Sequence, residues 1–322
     1  MKILPISLAL ALFFPFAFAT SVKAQALEKV VITHSSDSVS ITPLLYGIEK
    51  GLYRKEGIDL NFRVLRGELA VSSIIGGKDV DYIYGAGTAF FAAVRGLPMK
   101  VFSYDFKSVF FYLMGGPGVR SGQDLKGKKV AVASLSGTGA AATRASLKAL
   151  GVDPDRDVTM IVIGAASVRM AAMDSGSVEA VIMPVPWNIR MKQKGFKELI
   201  FAGKVMSQPL TGLATSREKA EKNPQQLKKM LRGFIQTMRA VKQDKADVID
   251  FIAKKFALDS AAAEETYKIM LQTMTDDGMV GDADLKELLE QTKQETGTKR
   301  TVVLRDIVDY APLRQVTNEM SR

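Results

Sequence analysis

The sequence predicts an α/β protein made of two similar lobes that face each other across a cleft. The main observation is a repeated plan of strand, polar loop, helix, Gly-[Ile/Val]-Asp turn and strand, first at residues 29–62 and again at residues 128–163. Strand and helix patterns alternate in both copies, which is typical of a mostly parallel sheet. Ligands of such sheets bind beyond the carboxyl ends of the strands, so the repeat itself indicates a binding cleft.

Each copy continues in the same way, because IIGGKDVDYIYGAGTAF (74–90) matches MDSGSVEAVIMPVPWN (173–188) in its order of helix end, Gly, Val, acid, strand and loop. Strands are predicted at residues 30–33, 58–64, 82–84, 101–102, 109–113, 130–133, 159–163, 180–183, 199–201 and 212–215. Helices are predicted at residues 43–51, 88–95, 138–150 and 166–174, with Thr42 as the N-cap of the first.

From residue 217 the pattern becomes helical. One helical face carries Leu227, Met230, Leu231, Phe234, Met238 and Val241 at helical spacing. Further helices are predicted at residues 247–256, 261–273 and 284–294. This tail cannot bury its apolar face alone, so we expect it to pack on a lobe, with its methionines filling the core.

The lobe boundaries follow from the turn residues. Gly115-Gly116-Pro117-Gly118 is interpreted as one boundary and the region near residues 210–214 as the return crossing. Lobe 1 is then discontinuous, with residues 27–112 plus 214–322, and lobe 2 comprises residues 115–212. Two crossings form a hinge about which the lobes can close on a ligand.

The first 26 residues have the features of a secretory signal peptide. Lys2 precedes an apolar run at residues 3–19, and small residues at positions 22–26 offer two cleavage sites. A membrane anchor is the alternative, but Pro5 and Pro15 interrupt a run that is short for a spanning helix. The chain has no cysteine, which excludes disulfides, thiolate sites and an acylated N-terminal Cys. We therefore expect a cleaved, unlipidated protein of the periplasm.

The chain is basic, with a formal net charge of +10, and loses two lysines if residues 1–26 are removed. The basic residues are interleaved with acids, and no basic and aromatic nucleic-acid motif is present. We expect a solvated surface that does not bind nucleic acid. Its positive field would attract an acidic small molecule.

Polar residues recur where the predicted strands end, and several of these loops open helices. Helix N-termini have unpaired N–H groups and bind anions, and Ser and Thr hydroxyls add donors. The alternative is that these residues only cap helices and form turns. The candidate ligand-binding residues are His34, Ser35, Ser38, Ser40, Tyr84, Gly87, Thr88, Ser134, Ser136, Gly137, Thr138, Pro184 and Trp187.

Two motifs permit other interpretations. GTGAAA at residues 137–142 fits a G-x-G-x-x-A dinucleotide fingerprint, with Asp153 and Asp155 downstream, but the preceding loop is too long for that tight turn. His34 is the only histidine and would be the base of an enzyme, but nothing indicates which Ser and Asp would join it. We expect neither a metal site nor a cofactor.

Five segments, in this order and spacing, resemble the NMT1/THI5-like and SsuA-like substrate-binding proteins of ABC importers. They are EKGLYRKEGIDL (49–60), GKDVDYIYG (77–85), DLKGKKVAVAS (124–134), GVDPDRDV (151–158) and SGSVEAVIMPVP (175–186). The resemblance implies a type II periplasmic-binding fold, with two α/β lobes, two crossovers and a helical C-terminal part. It also implies a protein that binds a small solute, such as a sulfonate, a carboxylate or a thiamine precursor, and delivers it to a membrane permease. We expect the protein to be a monomer.

Some members of the resembled family are pyrimidine-precursor synthases that use a Cys-rich motif, histidines and a lysine bearing pyridoxal phosphate. This chain has no Cys and one His, so we expect no enzymatic activity. No Arg clamp is evident, since Arg144 and Arg169 are expected to face solvent. An enzyme using His34 and a ligand sensor that signals to a membrane receptor remain the alternatives.

Overall fold

The computed structural model describes residues 26–34, 38–65, 67–135, 137–206 and 208–321. Most of the predicted signal peptide, Ser35 and Ser136 lie outside these ranges. In the described part of the chain, no helix is long and apolar enough to cross a membrane.

The strands form two five-stranded sheets. Their bounds are β1 (Glu28–His34), β2 (Ile58–Val64), β3 (Tyr82–Tyr84), β4 (Met99–Val101), β5 (Phe111–Gly115), β6 (Lys128–Val132), β7 (Val158–Val162), β8 (Ala180–Pro184), β9 (Lys197–Phe201) and β10 (Leu213–Ser216). The first sheet has the order β2-β1-β3-β10-β4 and the second has the order β7-β6-β8-β5-β9.

The two sheets share one topology. In the first, β1 pairs in parallel with β2 and β3, while β10 runs antiparallel to β3 and β4. In the second, β6 pairs in parallel with β7 and β8, while β5 runs antiparallel to β8 and β9. Four strands of each sheet therefore point the same way, as expected for a mostly parallel sheet, and the antiparallel strand follows a crossing from the other sheet.

The helices flank the sheets and fill the C-terminal third of the chain. They are α1 (Thr42–Glu49), α2 (Leu52–Lys55), α3 (Gly67–Ile75), α4 (Ala86–Val94), α5 (Thr138–Ala149), α6 (Ala166–Asp174), α7 (Trp187–Gln193), α8 (Arg217–Lys222), α9 (Pro224–Gln243), α10 (Lys245–Phe256), α11 (Ser260–Thr273), α12 (Asp282–Thr296), α13 (Leu304–Ile307) and α14 (Ala311–Glu319).

The apolar face predicted on α9 is buried over its whole length, from Leu227 to Val241. It packs on α1, α2 and α14, so the helical tail covers the helices of the first sheet. The predicted cap of α1 is wrong. The helix begins at Thr42 itself, Ile41 takes the N-cap position without a side-chain bond, and the Thr42 hydroxyl is buried without a partner among the described residues.

Two connections join the sheets, residues 102–110 between β4 and β5 and residues 202–212 between β9 and β10. They run side by side, because the Leu210 N–H donates to the Phe106 carbonyl at 3.1 Å and the Asp105 N–H donates to the Thr211 carbonyl at 3.1 Å. This pairing brings the carboxyl ends of the parallel strands in both sheets toward a shared region.

Strand β5 shows where the first connection ends. Phe111 and Tyr112, which the prediction assigned to lobe 1, already pair with β8 and β9, so they belong to the second sheet. The Gly-rich stretch at residues 115–118 follows this strand and does not separate the sheets. The division into two moving lobes remains a prediction.

Candidate functional site

The carboxyl end of β1 carries a buried chain of hydrogen bonds. β1 ends at His34, whose Nδ1 lies 2.6 Å from the carbonyl oxygen of Tyr84, the last residue of β3. Its Nε2 lies 3.1 Å from the Ser40 hydroxyl, and the Ser38 and Ser40 hydroxyl oxygens are 2.7 Å apart. Four of the candidate residues therefore meet where β1 and β3 end as neighbours in the sheet.

Elementary chemistry fixes the tautomer of His34. A carbonyl oxygen can only accept, so Nδ1 carries the proton and donates to Tyr84. Burial lowers the pKa of His34 from 6.5 to about 4, so the ring is neutral at pH 7 and Nε2 accepts from Ser40. Ser40 then accepts from Ser38. A buried imidazole with so low a pKa is a poor general base near neutral pH.

The side chain of Tyr84 joins this edge to the two connections. Its phenol donates to the buried carboxylate of Asp105, which also accepts from the Thr211 hydroxyl at 2.6 Å. Burial raises the pKa of Asp105 to about 7, although both donors favour the ionised form. Since Asp105 and Thr211 lie in different connections, this carboxylate links both of them to the first sheet.

The N-terminus of α4 follows β3 and contacts the second connection. The Gly87 N–H donates to the Leu210 carbonyl at 3.0 Å, so this donor is already engaged. A Cβ added at Gly87 would lie 3.2 Å from the Thr138 hydroxyl, the first residue of α5. Two candidate residues from different sheets are thus in close approach, while Thr88 is half-buried beside them.

The loop between β6 and α5 forms part of the second edge. Ser134 is exposed, and Gly137 and Thr138 are half-buried. Gly137 occupies the N-cap position with φ +79°, a conformation that favours glycine. Among the described residues, no side chain caps α5; the Thr138 hydroxyl accepts from the Gln208 amide at 3.4 Å.

The loop after β8, in the second sheet, contacts the loop after β1, in the first sheet. Pro184 ends the strand, and the next carbonyl, that of Val185, accepts from the Val39 N–H at 2.8 Å. Trp187 is the first residue of α7 and is 9% exposed, with the Arg190 guanidinium 4.9 Å from its ring centroid. The loops after β1 and β8 are therefore in direct contact.

The expectation that Arg169 faces solvent is wrong. The residue lies on α6 and is 4% exposed. Its guanidinium donates to the carbonyl of Ile182, in the middle of β8, and to the carbonyls of Ile163 and Gly164, just after β7. Arg144 behaves more nearly as expected, because it forms a surface ion pair with Asp155.

The site residues that sequence reasoning missed are Asp105, Thr211 and Arg169. Asp105 offered one signal, since a carboxylate stands alone in the apolar stretch VFSYDFKSVFF. Thr211 and Arg169 offered none, because their roles depend on which strands and connections become neighbours.

The dinucleotide interpretation of residues 137–142 gains no support. Asp153 forms a surface pair with Arg156 at 2.7 Å, and Asp155 pairs with Arg144, so both acids are engaged outside the loop. The described residues contain no group of His, Asp and Glu side chains that could hold a metal ion.

Two described surface depressions lie away from both strand edges. One of about 480 Å³ is bounded by Asp277 and Arg314, and one of about 360 Å³ by Arg54 and Lys229. In the second, Arg54 pairs with Asp59 and Lys229 with Glu28, so its basic charge is largely matched.

Solved structures share this architecture over nearly the whole chain. The alkanesulfonate-binding protein SsuA from Xanthomonas axonopodis pv. citri, bound to MOPS, superposes with a TM-score of 0.68 at 16% identity, over 91% of this chain and 99% of that one. The periplasmic nitrate-binding protein NrtA from Synechocystis PCC 6803 gives 0.73 at 14% identity, over 91% and 89%. The periplasmic aliphatic sulphonate-binding protein SsuA from Escherichia coli gives 0.66 at 16% identity, over 87% and 92%. The protein therefore has the predicted type II periplasmic-binding fold.

The sequence itself identifies the family. The NMT1/THI5-like family model matches residues 38–247, which is more than half of the chain. The chain belongs to the NMT1/THI5-like family, in agreement with the resemblance in its sequence. No curated protein matches the sequence.

Proposed function

We propose that this protein is the periplasmic solute-binding component of an ABC importer. It would bind a small anionic organic molecule between the carboxyl edges of the two sheets and deliver it to an inner-membrane permease as a monomer. The main support for the proposal is that these two edges are in contact. Val39 is hydrogen-bonded to Val185, and Gly87 lies close to Thr138. Membership in the NMT1/THI5-like family supports it.

The proposed ligand residues are the thirteen candidates from the sequence. Those of the first edge are held by their own hydrogen bonds, which favours a rigid binding surface. The N-terminus of α5 and the positive charge of the chain favour an anion. Trp187 would cover an apolar part of the solute from the second edge.

Ligand binding would close the two lobes about the paired connections. Ligand at one hundred times its Kd should stabilise the protein by about 2.7 kcal/mol. The radius of gyration from solution scattering should decrease at the same time. A tight ligand that left the scattering curve unchanged would exclude the hinge.

The decisive experiment identifies the solute. Native mass spectrometry of protein purified from its source should detect a co-purified small anion, which should then raise the melting temperature of refolded protein. The proposal fails if the protein carries no solute and a broad panel of sulfonates, carboxylates, nitrate and thiamine precursors leaves its melting temperature unchanged.

Export is part of the proposal. N-terminal sequencing of the mature protein should begin near Gln25 or Leu27. Membrane-bound protein that retained Met1 would contradict a cleaved signal peptide.

Two alternatives remain open to test. The 3.1 Å approach of Ser40 to His34 is the geometry of a nucleophile and its base, yet Ser40 is only 2% exposed. Chemical turnover of the bound solute would favour an enzyme. A ligand sensor would differ in its partner, so a neighbouring permease and ATPase gene would favour transport.

A further inference from the structure

Arg169 is a buried cation whose charge is not matched. No carboxylate among the described residues lies within 4 Å of it, whereas Arg144, Arg156 and Arg232 each form an ion pair. Burying a charge without a counter-charge is costly, so such a group needs a specific reason to persist. The reason is either structural, through its carbonyl partners, or a ligand that supplies the negative charge.

The position of the guanidinium follows from the strand register. Parallel pairing between β6 and β8 ends at Ala131 and Val181, so the next carbonyl on β8, that of Ile182, accepts from Arg169 Nε at 3.2 Å. On the other side, the Ile163 carbonyl just after β7 accepts from Nη1 at 3.1 Å. Since β6 lies between β7 and β8, the guanidinium occupies the gap directly beyond the carboxyl end of β6.

That gap is where a ligand of this sheet is expected. The chain leaves β6 at Val132, passes through the exposed Ser134 and enters α5 at Thr138. The twelve-residue helix α5 presents the positive end of its dipole at this same edge. Arg169 and the α5 N-terminus therefore contribute positive potential to one place from two different elements.

The donors of Arg169 are only partly used. Nε and Nη1 donate to the three carbonyls, while the N–H groups of Nη2 donate to no acceptor in the described ranges. Burial lowers the pKa of Arg169 to about 10, which leaves the side chain charged at neutral pH. A planar guanidinium with free N–H groups is suited to the paired oxygens of a carboxylate or sulfonate.

We propose that Arg169 is the residue that binds the negatively charged group of the solute, beneath the β6–α5 loop. The inference rests on the proposed solute-binding function and restricts it, because a ligand must then carry a full negative charge on an oxyanion group. Neutral molecules of the same shape would be rejected, since they leave the buried cation unmatched.

The test compares anions with neutral isosteres. Ethanesulfonate and propionate are titrated against ethanesulfonamide and propionamide, by calorimetry and by melting temperature, together with any solute that co-purifies. The variants are Arg169→Met, which removes the charge at similar length, Arg169→Lys, which keeps a point charge, and Arg144→Gln, which removes an exposed paired arginine.

We expect the wild type to prefer an anion over its amide, and Arg169→Met to weaken anion binding by about a hundredfold or more while hardly changing the amide. Arg169→Lys should retain a reduced preference, and Arg144→Gln should match the wild type. If Arg169→Met does not fold, Arg169→Lys decides, since a purely structural arginine would leave the ratio of anion to amide affinity unchanged.

Three results would overturn the inference. One is an unchanged anion affinity in Arg169→Met or an unchanged ratio in Arg169→Lys. Another is a wild type that none of the anions stabilises. The third is a neutral co-purified solute, which would overturn the role of Arg169 while leaving solute binding intact. Loss of the proposed function itself would appear differently, as turnover of the solute or as the absence of any bound molecule.

Discussion

The carboxyl edges of the two sheets share a topology but differ in how their polar groups are used. At the first edge, His34, Ser38 and Ser40 donate and accept among themselves and are buried. At the second edge, the Arg169 guanidinium donates to three carbonyls and pairs with no carboxylate of the described residues, and Ser134 is exposed. Two sheets with the same strand order therefore differ at their carboxyl edges. The polar side chains of the first edge bond to one another, while the second edge carries a positive charge without a counter-charge among the described residues.

This difference suggests a division of work within one fold. The network of the first edge continues through Tyr84 to Asp105 and Thr211, so it forms part of the frame that holds the connections. At the second edge, the N–H groups of Arg169 Nη2 have no acceptor among the described residues and are suited to a charged ligand. If so, substitutions at the first edge should act mainly on stability, and substitutions at the second edge mainly on ligand selectivity.

The largest expected effect is at Asp105. Its pKa is about 7 in the folded protein and 3.8 as the unperturbed value, so folding favours proton uptake between these pH values. The stability it contributes is fully present below pH 4 and is lost as pH rises to about 7, a change of about 4 kcal/mol. Denaturant unfolding should show the wild type losing this amount relative to Asp105→Asn between pH 4 and pH 7.5.

The control for Asp105 is Asp276→Asn, which removes a fully exposed carboxylate. It should follow the wild type across the whole pH range. Parallel pH curves for the wild type and Asp105→Asn would show that Asp105 does not titrate in this window, and the link between the first edge and the connections would lose its energetic support.

His34 should give the next largest effect, with the opposite sign. Its pKa falls from 6.5 to about 4 on folding, so the unfolded chain binds more protons between these values. Its contribution is lost as pH falls from about 6.5 to 4, by about 3 kcal/mol. Relative to His34→Gln, the wild type should gain this amount between pH 4 and pH 6.5, again measured by denaturant unfolding.

The two titrations run against each other over nearly the same pH range. The opposing contributions of His34 and Asp105 should therefore nearly cancel in the wild type, so that together they change its unfolding free energy little between pH 4 and pH 6.5. In each single variant, the pH dependence of the remaining group should become visible. A His34→Gln variant whose stability rises with pH relative to the wild type would contradict the neutral, buried imidazole.

A smaller effect compares one hydroxyl from each edge. Ser40→Ala removes the donor to His34 Nε2 and leaves a buried acceptor unpaired, which should cost about 2 kcal/mol of unfolding free energy. Thr138→Ala removes only a long contact at a half-buried position and should cost about 0.5 kcal/mol or less. Equal losses in thermal unfolding would mean that the edges do not differ as described.

Local sequence patterns predicted most of the architecture. All ten predicted strand positions coincide with or overlap observed strands, because alternation and buried runs are short-range signals. The face of α9 from Leu227 to Val241 was predicted for the same reason. The repeat predicted that two similar units would form, and the identical strand order confirms this part of the fold class.

The sequence could not show which groups the fold would pair. Arg169 stands among small and apolar residues of α6, and its contacts depend on where the pairing of β6 with β8 ends, at Ala131 and Val181. The contacts between His34 and Ser40 and between Asp105 and Thr211 depend on loop paths and on two connections more than a hundred residues apart. The predicted cap at Thr42 failed because a preceding turn at residues 39–41 leads directly into α1.

A last, small effect is expected where the second edge touches the C-terminal helices. Arg190 of α7 packs over Trp187 and donates to the last carbonyls of α10, those of Phe256 and Ala257. A cation at a helix C-terminus and a cation over an indole each contribute roughly 0.5–1 kcal/mol at partly exposed sites. Arg190→Gln should therefore lower the unfolding free energy by about 1 kcal/mol and shift the emission of Trp187, the only tryptophan.

Lys194→Gln is the matched control, because Lys194 ends the same helix but pairs with Asp174 on the second sheet's own side. It should change neither the emission nor the stability by more than about 0.5 kcal/mol. If ligand titration also changes the Trp187 emission saturably, and Arg190→Gln alters that response, the contact between α7 and α10 senses occupancy of the second edge. If the emission stays flat through saturation, Trp187 does not lie in the binding site. The correspondence between the loops of the two sheets, from which the pocket was predicted, would then be wrong at this position.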